Sequence, residues 1–227
     1  MKPVVLMTDS RATASSEVEI VHIPLIGIRQ LPVNSALAHR QYDWLLLTSS
    51  NAAELFFANY PDITFSKVAS IGAKTTRTLK RIGIKVDYEP PNFNQESFIA
   101  HAGSQFNHCT VVLPCSVKAR PKLTDFLSQR ADVTRIDLYE PTHEYGNAKK
   151  MNTAIMSGSI DVVVFMSPSA VKTYYQYFSP FQLPVLAIGP VTSRALSDVH
   201  QKHVTVEQST KETLISKIIE MRKNHAI

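Results

Sequence analysis

One pattern of residues occurs twice in this chain and limits its fold more than any other feature. Leu45-Leu46-Leu47-Thr48-Ser49-Ser50-Asn51-Ala52-Ala53 resembles Val163-Val164-Phe165-Met166-Ser167-Pro168-Ser169-Ala170-Val171. Further on, Ile71-Gly72-Ala73-Lys74-Thr75-Thr76-Arg77-Thr78-Leu79 resembles Ile188-Gly189-Pro190-Val191-Thr192-Ser193-Arg194-Ala195-Leu196. Ser49 and Ser167 are 118 positions apart, and Gly72 and Gly189 are 117 apart. Two matches at nearly one spacing predict two similar units. Each copy is an apolar run that ends in small or hydroxyl residues and opens into a stretch of helical period, the junction of a β-strand with a following helix.

The same alternation runs through the whole chain. Strands are expected at Val4–Met7, Val18–Ile26, Trp44–Thr48, Lys67–Ile71, Val111–Pro114, Val133–Tyr139, Asp161–Met166 and Pro184–Ile188. Helices are expected at Asn51–Asn59, Thr75–Ile82, Gln95–Gly103, Arg120–Ser128, Ser169–Tyr177, Thr192–Asp198 and Lys211–Asn224. Short apolar runs followed by helices define an α/β protein with parallel sheets, built here of flavodoxin-like βα units. Proline and polar residues gather at Gln30-Leu31-Pro32-Val33-Asn34 and at Glu140-Pro141-Thr142-His143-Glu144-Tyr145-Gly146. These stretches bracket one copy of the repeat, which predicts one domain inserted in another and two extended linker segments between them.

Turns from strand to helix in parallel sheets suit anions. Ligands collect outside the carboxyl ends of the strands, where first-turn N–H groups lack helical partners and the helix dipole is positive. Asn51 with Glu54 three residues on reads as a capping box, and Ser167 reads as an N-cap with Pro168 at the first helical position. Capping alone explains any one such turn; four of them in two related pairs favour a binding role. Gly72 and Gly189 read as positions of tight turning or close backbone approach. Neither is part of a Walker loop or a Gly-x-Gly-x-x-Gly fingerprint, so nucleotide chemistry has little support.

Composition excludes several classes. The net charge of +5 favours anionic ligands, but the 24 Lys and Arg are scattered without interleaved aromatics, against a nucleic-acid partner. At 44% hydrophobic and 19% charged the chain is an ordinary soluble globule. Cys109 and Cys115 are too few for a disulfide framework and read as reduced thiols. His200 and His203 share a metal-like spacing with no further ligands to complete a set, so no metal is expected. No signal sequence or membrane span is read, so a cytoplasmic protein is expected. There is no Gly-x-Ser-x-Gly elbow.

An ordered set of motifs resembles the uroporphyrinogen-III synthase family over nearly the whole chain. It comprises Ile23-Pro24-Leu25-Ile26, Leu47-Thr48-Ser49-Ser50-Asn51-Ala52, Ile71-Gly72-Ala73-Lys74-Thr75, Leu113-Pro114-Cys115, Arg120 with Leu123, Leu138-Tyr139, Ser167-Pro168-Ser169-Ala170-Val171 and Ile188-Gly189-Pro190-Val191-Thr192. The resemblance implies one domain of residues 1–31 plus 145–227 and an inserted domain of 32–144, with substrate in a cleft between them. It implies hydroxymethylbilane as substrate, no metal or organic cofactor, and a monomer. Loss of the terminal hydroxyl as water gives an azafulvene. Attack at the substituted carbon of the last ring then gives a spiro intermediate, which rearranges and closes with that ring inverted. The protein's part is to fold a flexible chain into a productive conformer and to supply an acid.

Tyr139 matches the family's tyrosine at the strand entering the linker, and an ordinary phenol stays protonated at neutral pH, able to donate to the leaving oxygen. His143 is a possible neighbour. Matching also puts Thr48, Ser49, Ser50, Asn51, Gly72, Lys74, Thr75, Ser167, Pro168, Ser169, Ala170, Gly189 and Thr192 at the substrate, in part through main-chain N–H groups. The chain departs from the family pattern at Asp9, where relatives often carry Arg after Thr; at Val191, often a hydroxyl residue; and at Ala119, often glycine. Ser10 to Glu17 is too short for a crossover helix. The alternative reading is a non-catalytic two-domain binding protein for a porphyrin-like or other small polyanion.

Overall fold

The computed structural model describes residues 2–37 and 39–224. Strands β1 (Val4–Met7), β2 (Glu19–His22) and β3 (Ile26–Gln30) open the chain. Then come β4 (Gln41–Leu47), α1 (Ser50–Asn59), β5 (Thr64–Ser70), α2 (Ala73–Arg81), α3 (Gln95–His101), β6 (Thr110–Ser116), α4 (Pro121–Ser128) and β7 (Asp132–His143). The chain continues through α5 (Tyr145–Met156), β8 (Val162–Phe165), α6 (Pro168–Tyr175), β9 (Val185–Ala187), α7 (Pro190–Asp198), β10 (Val204–Thr205) and α8 (Lys211–Lys223). Two compact units result, Met1–Gly27 with Thr142–Ile227, and Ile28–Pro141. The chain passes between them inside β3, a few residues before the stretch at residues 30–34, and inside β7, within the stretch at residues 140–146.

Each unit is a sheet with helices on both faces. The first has the order β10-β9-β8-β1-β2, and its registered pairs are all parallel. The second has the order β3-β7-β6-β4-β5, parallel from β7 to β5. Leu31 N donates to Leu138 O and Glu144 N to Leu25 O, so β3 and β7 run antiparallel. Aligned on the sequence repeat, the order β5-β4-β6-β7 of the second unit corresponds to β9-β8-β1-β2 of the first. The Ala69–Tyr88 bridge beside β5 takes the place that β10 takes beside β9.

Strands buried on both faces explain the unbroken apolar runs. In β4, Leu45 and Leu47 pack with Ala52, Phe56 and Leu79 of α1 and α2, while Trp44 and Leu46 pack with Phe98, Leu123 and Leu127 of α3 and α4. In the first unit Leu6, Val163 and Phe165 face α5, α6 and α7, and Val5, Met7, Val162 and Val164 face α8.

The structure differs from expectation in several places. The single strand read over Val18–Ile26 is two, one in each sheet: Ile23 N still bonds Met7 O, but Pro24 has no N–H to continue the ladder. β7 continues past Tyr139 to His143. Helix α5 begins inside the connection read over residues 140–146 and runs on through a stretch for which no element was read, although its buried Ala148, Met151 and Ile155 carry a helical spacing. Between β1 and β2 no helix forms, consistent with the short connection, and β2 is only partly buried.

Candidate functional site

In both units the chain reverses its direction of winding between two neighbouring strands, β4 and β6 in one and β1 and β8 in the other. Helix starts beside such a switch point are where ligands bind in open α/β sheets. The candidate residues gather at these ends, and the repeat gives each unit one helix start of each of two kinds.

The first kind is headed by serine. Ser49 is the N-cap of α1, with its Oγ accepting from Ala52 N at 3.0 Å, and Ser167 is the N-cap of α6, accepting from Ala170 N at 3.1 Å. Pro168 occupies the first turn of α6 as expected. The capping box read at Asn51 is not formed: Asn51 is the second residue of α1, because Ser49 already has the extended backbone of an N-cap. Ser50 and Ala170 are buried, and the Ala170 N–H is already bonded to Ser167 Oγ.

The second kind is headed by glycine. Gly72 and Gly189 are the N-caps of α2 and α7, and neither helix has a side-chain cap. Their first turns therefore lack a built-in oxygen, which suits an external anion. The glycines serve different ends. Gly72 has φ +110°, which side chains disfavour, whereas Gly189 is extended at φ 176° and lies where a Cβ would meet Ser209 Oγ at 2.5 Å. Thr75 and Thr192 are 3% exposed, and Thr75 Oγ1 donates to Ile71 O at 3.3 Å, so that hydroxyl is spent inside the fold. Lys74 is exposed on the first turn of α2.

Tyr139 is brought to the first kind of start. Its ring is buried at 7% exposure among Ala52, Ala53 and Phe56, and its Oη lies 3.0 Å from Ser49 Oγ. No sequence signal joins residues 90 positions apart. Thr48 lies beside this pair and lines a small hollow with Gln95, Cys115, Arg120 and Thr124. Burial pushes the Cys115 thiol up to about 11, with the Asp137 carboxylate adding to the rise and Arg135 opposing it, so Cys115 is not a neutral-pH nucleophile. Arg120 pairs with Glu96 at 2.9 Å.

His143 does not join Tyr139. It belongs to the first unit, where its Nδ1 lies 2.6 Å from Oγ1 of the buried Thr173 on α6. Thr173 Oγ1 donates to Ser169 O at 2.9 Å, so Nδ1 must carry the proton and donate to Thr173. The His143 ring also stacks on Tyr145 at 5.9 Å. At the neighbouring switch point Thr8 Oγ1 donates to Val164 O and accepts from Met166 N, tying β1 to β8. Asp9 is held by Lys211 at the start of α8, a cation that would otherwise oppose that helix dipole. His203 pairs with Ser193 at 2.7 Å and with the Gln201 carbonyl. Among the described residues no cluster of three His, Cys, Asp or Glu is placed to hold a metal, and no helix is long and apolar enough to cross a membrane.

Fold and helix starts together define a two-unit α/β protein with paired strand-to-helix turns in each unit. A family model described as "Uroporphyrinogen-III synthase HemD" matches residues 10–216. The chain belongs to that family. It is 26% identical over 220 residues to a "Porphyrin biosynthesis protein HemD" of Ruminiclostridium josui, covering 89% of this chain but only 44% of that longer protein. A "Uroporphyrinogen-III synthase" of Synechococcus elongatus is 26% identical over 183 residues, 72% of this chain and 69% of its own length. Among solved structures, the uroporphyrinogen-III synthetase of Helicobacter pylori 26695 matches 97% of this chain and all of its own, with a TM-score of 0.70 at 15% identity, a likeness of fold.

Proposed function

We propose that this chain closes hydroxymethylbilane to uroporphyrinogen III with inversion of the last ring and loss of water. The observation that carries the reading is the Tyr139 hydroxyl set against Ser49 at the start of α1, in the turn where the family pattern is densest. Protonation of the terminal hydroxyl breaks its C–O bond and releases water. The azafulvenium so formed is attacked by the substituted carbon of the last ring. The resulting spiro intermediate breaks its original bridge bond to that carbon, giving a second azafulvenium. The free ring carbon that finally bonds to it sheds a proton that restores the acid through solvent. Tyr139 donates the first proton. The acetate and propionate groups of the substrate bind at helix starts, with Thr48, the main chain of Ser49, Ser50, Asn51, Gly72, Lys74 and Thr75 supplying contacts in one unit and Ser167, Pro168, Ser169, Ala170, Gly189 and Thr192 in the other. The buried hydroxyls of Thr75 and Thr192 favour main-chain N–H groups as the binding atoms there. The protein works as a cytoplasmic monomer, without a nucleic-acid partner or a cofactor.

The test is an isomer-resolved product assay with freshly made hydroxymethylbilane. Mainly type III product is expected. Only the spontaneous type I isomer, together with saturable porphyrin binding, would instead establish a non-catalytic binding protein. Tyr139→Phe is expected to lower kcat while leaving KM within about twofold, the pattern of an interaction made only in the transition state.

A further inference from the structure

We infer that Ser49 positions the acid: its hydroxyl donates to Tyr139 Oη, so that the phenol proton points away from Ser49 and toward the substrate oxygen. This rests on the reading of Tyr139 as the acid. The inferred direction draws on the partners of Ser49 Oγ, which among the described residues are Ala52 N and Tyr139 Oη. Ala52 N can only donate, and it occupies a lone pair of the serine oxygen. Either hydroxyl of the pair can donate. The inferred direction is the one in which the serine proton goes to Tyr139 Oη, its only acceptor among these partners, and leaves the tyrosine proton unused within the protein.

The arrangement does more than aim a proton. When Tyr139 transfers its proton to the leaving hydroxyl, the electron pair of the broken O–H bond stays on Oη as phenolate. Ser49 O–H already points at that oxygen, and a hydrogen bond to a charged acceptor is stronger than one to a neutral acceptor. Because Ser49 caps α1, the developing charge also lies by the positive end of that ten-residue helix. The geometry is held on both sides, since the Tyr139 ring is packed among buried residues and the Ser49 oxygen is fixed by the helix it caps. Ser49 thus acts through Tyr139, and its role is separate from any direct contact with substrate.

Cap and hydroxyl are separable by substitution. Glycine replaces an N-cap serine at little cost to the helix, and threonine keeps both the cap and the hydroxyl. Ser49→Gly, Ser49→Thr, Tyr139→Phe and the double variant Ser49→Gly/Tyr139→Phe are compared by single-turnover and steady-state kinetics, with urea unfolding as a check on folding. Ser49→Gly is expected to lower kcat by about tenfold, the effect of one hydrogen bond of ordinary to charge-assisted strength, with KM within twofold. Ser49→Thr is expected to recover most of that loss. In the Tyr139→Phe background, Ser49→Gly should add no further loss, because its effect passes through the phenol.

Multiplying losses in the double variant would overturn the inference and leave Tyr139 as the acid. A raised KM with unchanged kcat in Ser49→Gly would also overturn it, assigning Ser49 to substrate binding. Wild-type turnover in Tyr139→Phe would remove both the acid and its positioning residue. Type I product alone from the unmodified protein would sink the synthase reading itself.

Discussion

Gly72 and Gly189 occupy matching positions in the repeat, yet the structure favours glycine at Gly72 for its backbone and at Gly189 for a close side-chain neighbour, and a paired substitution separates the two. At Gly72 an added Cβ has room, its nearest neighbour being Thr75 Oγ1 at 3.5 Å, but φ is +110°. Such a backbone costs a side-chain-bearing residue about 1–3 kcal/mol, against which alanine recovers about 0.4–1 kcal/mol of unfolded-state entropy. A net loss of about 1–2 kcal/mol is expected for Gly72→Ala. With an m-value of about 2 kcal/mol/M, the urea midpoint falls by roughly 0.5–1 M. Thr75→Ala should give no rescue, because Thr75 is not the obstacle. At Gly189 the backbone is extended and suits any residue, but a Cβ would lie 2.5 Å from Ser209 Oγ and 3.7 Å from Ser209 Cβ. Ser209 is exposed and can turn its hydroxyl away, so Gly189→Ala should change stability by less than about 1 kcal/mol. Gly189→Ala with Ser209→Ala meets only the Cβ, an ordinary contact, and should be stabilised by about 0.4–1 kcal/mol. Urea unfolding followed by circular dichroism reads all four variants. The reasoning fails if Gly72→Ala is neutral, or if Gly189→Ala is strongly destabilised and Ser209→Ala does not relieve it.

Phe98 is fully buried against Tyr88, Phe106 and the sheet, and Phe98→Ala should cost about 3–5 kcal/mol in urea unfolding. Cys115 holds its proton more tightly folded than unfolded, so its contribution to stability is full below about pH 9 and is lost as pH rises from about 9 toward 11; Cys115→Ala should flatten the fall in urea midpoint over that range. Thr173→Val removes the acceptor of the His143 Nδ1 proton. Nitrogen NMR of the imidazole, held neutral, should show the Nδ1–H tautomer in the wild type and a several-fold shift toward Nε2–H in the variant, following the loss of about 1 kcal/mol of hydrogen bond; an unchanged ratio would mean that Thr173 does not set the tautomer.

Much of the fold was legible because buried parallel strands write themselves as apolar runs. Val163 to Phe165 and Leu45 to Leu47 have no polar face to hide, and Ser167-Pro168 announces its helix. What stayed hidden depended on contacts across the chain. Nothing local tells Ile26 to leave the sheet of Val21 for that of Leu138, since only the missing N–H of Pro24 marks the break. The cap of α1 was placed two residues late because Asn51 with Glu54 fits the pattern as well as Ser49 does, and backbone geometry decided between them. The serine pattern marked Ser49, but not the tyrosine that it meets. The family pattern places Thr75 and Thr192 at the substrate but carries no information on burial, and both are almost fully buried.

The strand correspondence has a consequence for the chain's ancestry. Along the backbone, β1 and β2 precede β4 and β5 just as β6 and β7 precede β8 and β9. Read linearly, this is one motif copied head to tail; read as sheets, each copy has given its front pair of strands to the other copy's rear pair. A break introduced near residue 105 would yield two fragments, neither holding a full sheet and each displaying edges made for its sister. Such fragments would need to exchange strands before either could fold, as two copies of an ancestral half-length chain would have done.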